Sequence, residues 1–162
     1  MPSRAAKLLE KLRNNSVDAL LVSKEANVSY LCGYPCRDSY LLVHPKKTIF
    51  ITDFRYVEEA RKNIPGVKVF QYDNLFKDTA ALAKRLKIRR LGFEAKDLNF
   101  AEYSKIRSYL GHKTKLKDTF NIVETLRQTK DPQEINFIRQ AIKITGQTFE
   151  FIQKFLKPGI KE

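Results

Sequence analysis

The 162-residue sequence is 43% hydrophobic and 30% charged, which is the composition of an ordinary globular chain. A chain of this length can bury roughly 70% of its unfolded surface around one core without staples. No apolar run approaches the roughly 20 residues of a membrane span. The opening MPSRAAKLLEKLRNN interrupts its leucines with charges, where a secretory signal keeps about 7 to 15 apolar residues unbroken, so a cytoplasmic location is expected and a membrane partner is not.

In chain order, Ser3 is placed to cap a helix over 4–14, with Ala5, Leu8, Leu9 and Leu12 on one face. ALLV after Asp18 reads as a short strand. SYLLVH (39–44), Pro45-Lys46-Lys47 and TIFIT (48–52) read as strand, turn and strand. Alternation follows: helix from Asp53 to about Asn63, strand 67–71, helix 75–86, strand 90–94, helix 99–110 and a short strand near 113–116. Strands separated by helices indicate βα units and a partly parallel sheet. The expected fold class is α/β, a mixed sheet of about five to six strands flanked by helices. Asp131-Pro132, with Glu134 in the first turn, opens a long helix. Its apolar spacing runs from Ile135 to Leu156 until Pro158-Gly159 stops it. At about 27 residues it would be roughly 40 Å long, and its aromatic-rich end (Phe149, Phe151, Phe155) expects a packing partner.

The net charge is +13, with twelve Lys/Arg against four Asp/Glu between Lys77 and Lys117. These bases fall mostly on helix faces and strand ends, without the interleaved aromatics of a single-strand stacking platform. They read as solvated surface, and nucleic acid is not the expected partner. Only two histidines, His44 and His112, and two cysteines, Cys32 and Cys36, occur. Neither histidine belongs to an HxxxH, HxxE or close carboxylate cluster, and the cysteine spacing suits neither a disulfide framework nor a zinc knuckle. Reduced, packed thiols are expected. GxSxG and glycine-rich phosphate loops are missing, and the six glycines are scattered, so acyl transfer and nucleotide binding are not indicated. Asp53 follows strand TIFIT and Glu94 ends strand RLGFE, at the strand ends where α/β sheets hold ligands. They could hold Mg²⁺ together, or Asp53 could cap a helix and pair with Arg55 while Glu94 joins a polar network.

DALLV (18–22), NVSYLCGY (27–34), TDFRYVEEA (52–60), LGFE (91–94), LRQTKDPQEINFIRQA (126–141) and KPGIKE (157–162), in that order, resemble the N-terminal half of the creatinase/prolidase/aminopeptidase P family. The likeness is to its short bacterial aminopeptidase P and prolidase-type members. It implies a creatinase N-terminal domain with ribonuclease H-like topology over 1–130, a linker helix over 131–157, and the start of a catalytic domain at 158–162. It also implies that the chain stops where a "pita-bread" domain would bind two divalent metals (Mn²⁺, Co²⁺ or Zn²⁺) through two Asp, one His and two Glu. None of those ligands maps onto this sequence, so the segment alone is expected to be inactive, and no catalytic or metal residue is assigned in it.

For this domain the resemblance implies dimerisation and a steric filter that admits short peptides with proline second. The loop after the Y-L-T-G-F turn would reach a neighbouring active site. Here that loop holds Tyr34, Arg37, Asp38, Ser39 and Tyr40. Arg37 would pair with a substrate carboxylate, with Tyr34 and Tyr40 packed beside it. Cys32 and Tyr34 stand where the family has Thr and Phe, and Pro35-Cys36-Arg37-Asp38 replaces a Gly/Ser-rich stretch. Asp53, Arg55 and Tyr56 match the T-D-x-R-Y segment, first as a helix cap and polar network and second as interface or site residues. The implied partners are the protein's own catalytic domain, a second copy of the chain and short Xaa-Pro peptides. A pseudo-peptidase module that binds peptides or proteins and a basic nucleic-acid-binding domain are the alternatives.

Overall fold

The computed structural model of the chain describes residues 4–161; Ser3, the expected first cap, and Glu162, the end of KPGIKE, lie outside them. The chain divides into two compact units, Met1–Arg127 and Gln128–Glu162. In the first, α1 (Arg4–Asn14), β1 (Ala19–Val22), α2 (Glu25–Cys32), β2 (Ser39–His44), β3 (Lys47–Thr52) and α3 (Val57–Asn63) lead into β4 (Lys68–Gln71), α4 (Leu75–Arg85), β5 (Arg90–Glu94), α5 (Phe100–Leu110), β6 (Lys115–Thr119) and α6 (Ile122–Gln128).

The strands form one sheet in the order β4-β3-β2-β1-β5-β6. β2 runs antiparallel to both neighbours and every other pairing is parallel. All strand starts except that of β2 therefore lie along one edge of the sheet, and their ends along the other. All four residues of β1 are buried, as expected of a central strand covered on both faces. In β2 and β3 the side chains alternate between two apolar layers. Leu41, Val43 and Phe50 join Leu8, Leu12, Val28, Ala60 and Val123, the layer of α1, α2, α3 and α6. Leu42, Ile49 and Ile51 join Ala80, Ala83, Ile106 and Leu110, the layer of α4 and α5. The result is a mixed six-stranded sheet flanked by helices, as the strand and helix spacing indicates.

Local chemistry accounts for most boundaries. Asn74 caps α4 by accepting from the Lys77 amide, and Asn99 and Glu102 form a reciprocal capping box on α5. Three boundaries differ from the expected ones. NVSYLCGY, which the resemblance gives as a turn, is helical from Asn27 to Cys32 as the larger part of α2, which Gly33 terminates at φ 68°. The helix expected from Asp53 begins only at Val57, because the Asp53 carboxylate accepts from the Arg55 amide at 2.8 Å and folds the intervening residues into a turn. The last strand starts at Lys115, whose amide bonds the Arg89 carbonyl at 2.7 Å. Helix α6 has no counterpart in the expected elements.

In the second unit, α7 spans Pro132–Gln153. Asp131 accepts from the Glu134 amide at 2.8 Å and Glu134 accepts from the Asp131 amide at 2.9 Å, with Pro132 in the first turn. The helix ends earlier than the apolar spacing indicates. The Lys154 and Phe155 amides bond to Phe151 and Ile152, three residues back, and this tightening dissolves the helix ahead of Pro158. Its Phe137, Ile142 and Phe149 are each more than half exposed, and the Phe151 and Phe155 rings pack at 4.8 Å.

Candidate functional site

The loop between α2 and β2 is tied down at several points. The Cys36 amide donates to Ser29 Oγ at 2.9 Å, the Asp38 amide to Glu25 Oε1 at 3.1 Å, and Thr52 Oγ1 to the Asp38 carbonyl at 3.4 Å. Asp38 sits at φ 43°, the left-handed region that Asp tolerates better than most residues. Its carboxylate accepts from Arg55 Nη2 at 3.1 Å. The same guanidinium donates to Asp53 Oδ2 from Nε at 3.0 Å and from Nη2 at 2.6 Å, and it lies 5.1 Å from the Tyr56 ring centre. Four predicted residues, Asp38, Asp53, Arg55 and Tyr56, thus form one cluster at the end of β3. The hydrogen bond from Arg55 holds the Asp53 carboxyl below its ordinary range, and Asp53 in turn raises Arg55.

Beside this cluster lies a cavity of about 260 Å³ lined by Tyr34, Arg37, Phe50, Tyr56, Glu59 and Ile64, among others. The Tyr34 hydroxyl donates to Glu59 Oε1 and accepts from Asn63 Nδ2 at 3.3 Å; the carboxylate keeps the phenol protonated above its usual range. Arg37 is exposed. Cys36 is buried, and the Cys32 thiol, held protonated by its hydrogen bond to Cys36, packs nearby. Both cysteines are free thiols.

Tyr40, expected beside Tyr34, is on the opposite face. It packs with the α4 and α5 layer, because alternation along β2 turns Tyr40 away from the face that Leu41 takes, whereas Tyr34, in the loop before β2, packs with the α1 layer. Burial pushes the Tyr40 phenol up to about 12. Ser39 is buried at the start of β2 opposite Thr52, and its hydroxyl lacks a hydrogen-bond partner. Glu59, Asn63 and Glu25, which complete the loop's anchoring, were not singled out in the sequence. The first two sit four residues apart on α3, Glu59 inside TDFRYVEEA and Asn63 three residues beyond it, and that helical spacing was the available signal.

Glu94 belongs to a different assembly. At the end of β5 it accepts from the Ser23 and Lys24 amides, both at 2.8 Å, and from Asn27 Nδ2 at 2.5 Å. Asn27 also donates to Glu124 at 2.9 Å and accepts from Arg127 at 2.8 Å. Burial raises the Glu94 carboxyl despite these donors. β3 and β5 are separated by β2 and β1, three interstrand steps or about 14 Å. Asp53 and Glu94 therefore cannot share a Mg²⁺ ion, contrary to the first of the two expectations for this pair. Among the described residues no group of three or more His, Cys, Asp or Glu could hold a metal ion. The divalent metals that the sequence resemblance implies have no fitting ligand set among the described residues.

The creatinase/prolidase N-terminal domain family matches residues 4–129. The chain belongs to that family. It is 33% identical over 159 residues to the peptidase YqhT of Bacillus subtilis, covering 95% of this chain and 45% of that protein. Superposition on an Xaa-Pro dipeptidase from Bacillus anthracis gives a TM-score of 0.92 at 30% identity, over 98% of this chain and 44% of the other. The N-terminal domain of the cytoplasmic peptidase PepQ from Mycobacterium tuberculosis aligns with a TM-score of 0.73 at 27% identity, over 78% of this chain and 99% of that domain. The chain spans about half the length of the curated relatives it matches. Among its described residues no helix is long and apolar enough to cross a membrane.

Proposed function

We propose that this chain is the accessory N-terminal domain of a cytoplasmic, metal-dependent Xaa-Pro aminopeptidase or dipeptidase, inactive by itself, which contributes to dimerisation and restricts the active site to short proline-containing peptides. The observation that carries this reading is the family match combined with an exposed cation, Arg37, on a loop fixed by Ser29, Glu25 and Thr52. A charged group on a pre-ordered loop loses little freedom on pairing with a substrate carboxylate.

The surroundings suit contact with another polypeptide surface. Phe54, Phe100 and Phe120 are 74%, 82% and 58% exposed and all follow the ends of parallel strands, on the same edge of the sheet as the loop. Large apolar side chains grouped on one edge gain from being covered. The divalent metals would be held elsewhere in the full-length protein and would supply the activated water. The residues of this domain would contribute shape and charge at the approach to that centre.

The test is Arg37→Ala in the full-length polypeptide. Loss of one charge-assisted contact is worth about 1.5–3 kcal/mol, so KM for an Xaa-Pro dipeptide should rise roughly tenfold or more with kcat little changed. An unchanged KM would overturn the assignment of Arg37 to substrate.

A further inference from the structure

The topology gathers bases that look scattered in the sequence. Lys46 and Lys47 occupy the β2–β3 hairpin, Lys68 opens β4, Arg89 precedes β5, and Lys113 and Lys115 precede and open β6. All six are exposed, and because β1, β3, β4, β5 and β6 run the same way, all six lie on the edge formed by the strand starts. Asp18, the carboxylate beside β1, is already occupied: it accepts from the Arg89 and Arg90 amides at 3.0 and 2.8 Å and from Arg90 Nη2 at 2.8 Å. Beside the hairpin, an open groove is lined by His44, Lys46, Lys47 and Lys68.

The two edges of the sheet thus differ in charge and in aromatic content. The strand-end edge mixes acids and bases, Glu94, Asp53 and Asp38 with Arg37 and Arg55, and carries the exposed phenylalanines. The strand-start edge is cationic; its segments 44–48, 66–69, 87–91 and 111–116 contain no Phe, Tyr or Trp, and the half-exposed Tyr109 at the end of α5 stands beside them as a single ring. A protein interface is anchored by aromatic and apolar side chains, and single-stranded nucleic acid is held by stacking. A surface of bases with neither an apolar cluster nor a series of stacking rings fits a partner that is regular, densely anionic and already stacked. Six strands span about 24 Å, along which a duplex presents about 14 phosphates at one charge per roughly 1.7 Å.

We infer that the strand-start edge of the sheet is a binding surface for the phosphodiester backbone of a nucleic-acid duplex, independent of sequence and separate from the peptidase role proposed above. It touches none of the residues assigned to that role, so either reading can fail without the other. A composition count cannot find such a surface, because the bases come from four separate segments that only the sheet brings into line.

The test is fluorescence anisotropy with labelled random-sequence duplexes of about 20 base pairs, one DNA and one RNA, against the 162-residue chain. A contact that neutralises about four phosphates should weaken roughly 50-fold between 50 and 150 mM salt. The triple variant Lys46→Glu, Lys68→Glu, Lys113→Glu should lose at least about tenfold in affinity and lower the salt slope by about three. The charge-matched triple Lys77→Glu, Lys96→Glu, Lys105→Glu, away from this edge, should lose less than about threefold by the same reasoning, with circular dichroism verifying that both remain folded. The DNA and RNA arms decide which duplex is preferred. No binding at low salt, equal losses in both triples, or equally tight binding of polyglutamate of matched charge would each overturn the inference.

Discussion

Replacing Asn27 with alanine removes the residue that joins three parts of the fold. Its side chain is fully buried; it donates to Glu94 at 2.5 Å and Glu124 at 2.9 Å and accepts from Arg127 at 2.8 Å. Glu124 and Arg127 are partly exposed and can turn to water. Glu94 cannot: it is 8% exposed, its Oε2 keeps the Ser23 and Lys24 amides, and its Oε1 loses the Asn27 donor. Stranding a buried, charged acceptor costs about 1–3 kcal/mol or somewhat more, so a loss of about 3 kcal/mol is expected for Asn27→Ala. With a urea dependence of about 1.5 kcal/mol per molar, the unfolding midpoint should fall by about 2 M. The companion Asn27→Asp sets a second carboxylate against Glu94 and raises both folded-state pKa values further. Its deficit should therefore be largest near neutral pH and shrink as pH falls through those raised values, because the folded state then binds protons more readily than the unfolded one. A stability loss under about 0.5 kcal/mol for Asn27→Ala, or a pH-independent deficit for Asn27→Asp, would refute the reasoning.

Gly92 offers a packing test. A Cβ there would lie 2.8 Å from Val17 Cγ1 and 3.1 Å from both Leu20 Cδ1 and Thr119 Cγ2. Gly92→Ala should destabilise by about 1–2 kcal/mol in chemical denaturation, overpacking outweighing the entropy gained by losing glycine, and a stabilised variant would contradict the close approach. Asp53 supplies a pH prediction. Its folded-state pKa lies below the unfolded value, so its pairing with Arg55 stabilises the fold at pH values above the unfolded pKa of about 3.9 and is lost as pH falls through the lower folded value. An NMR titration should place the Asp53 midpoint below that of an ordinary aspartate, and Arg55→Ala should return it upward. A midpoint unchanged by Arg55→Ala would dissociate the two residues.

What the sequence disclosed follows the range of the interactions. The alternation in SYLLVH and TIFIT and the spacing of helices between strands are local, and they located the mixed sheet. The cap at Asp131, with Pro132 and Glu134 following it, is legible for the same reason. Helix α2 was not, because it is short and buries the polar Asn27 next to Val28, so the face that a period of 3.6 should reveal is not apolar. Asp53 with Arg55 was visible two residues apart, but Asp38 joins Arg55 across 17 positions and Asn27 joins Glu94 across 67. Such pairings depend on strand order, which no local pattern fixes. The separation of Tyr40 from Tyr34 has a similar origin, since it depends on which residue begins β2.

The central claim is that this domain serves a peptidase without holding its catalytic centre. The most direct measurement is hydrolysis of an Xaa-Pro dipeptide by the purified 162-residue chain with Mn²⁺ or Co²⁺, beside the full-length polypeptide under the same conditions. The account predicts no turnover by the 162-residue chain and metal-dependent cleavage by the full-length protein. Turnover by the purified 162-residue chain would contradict it.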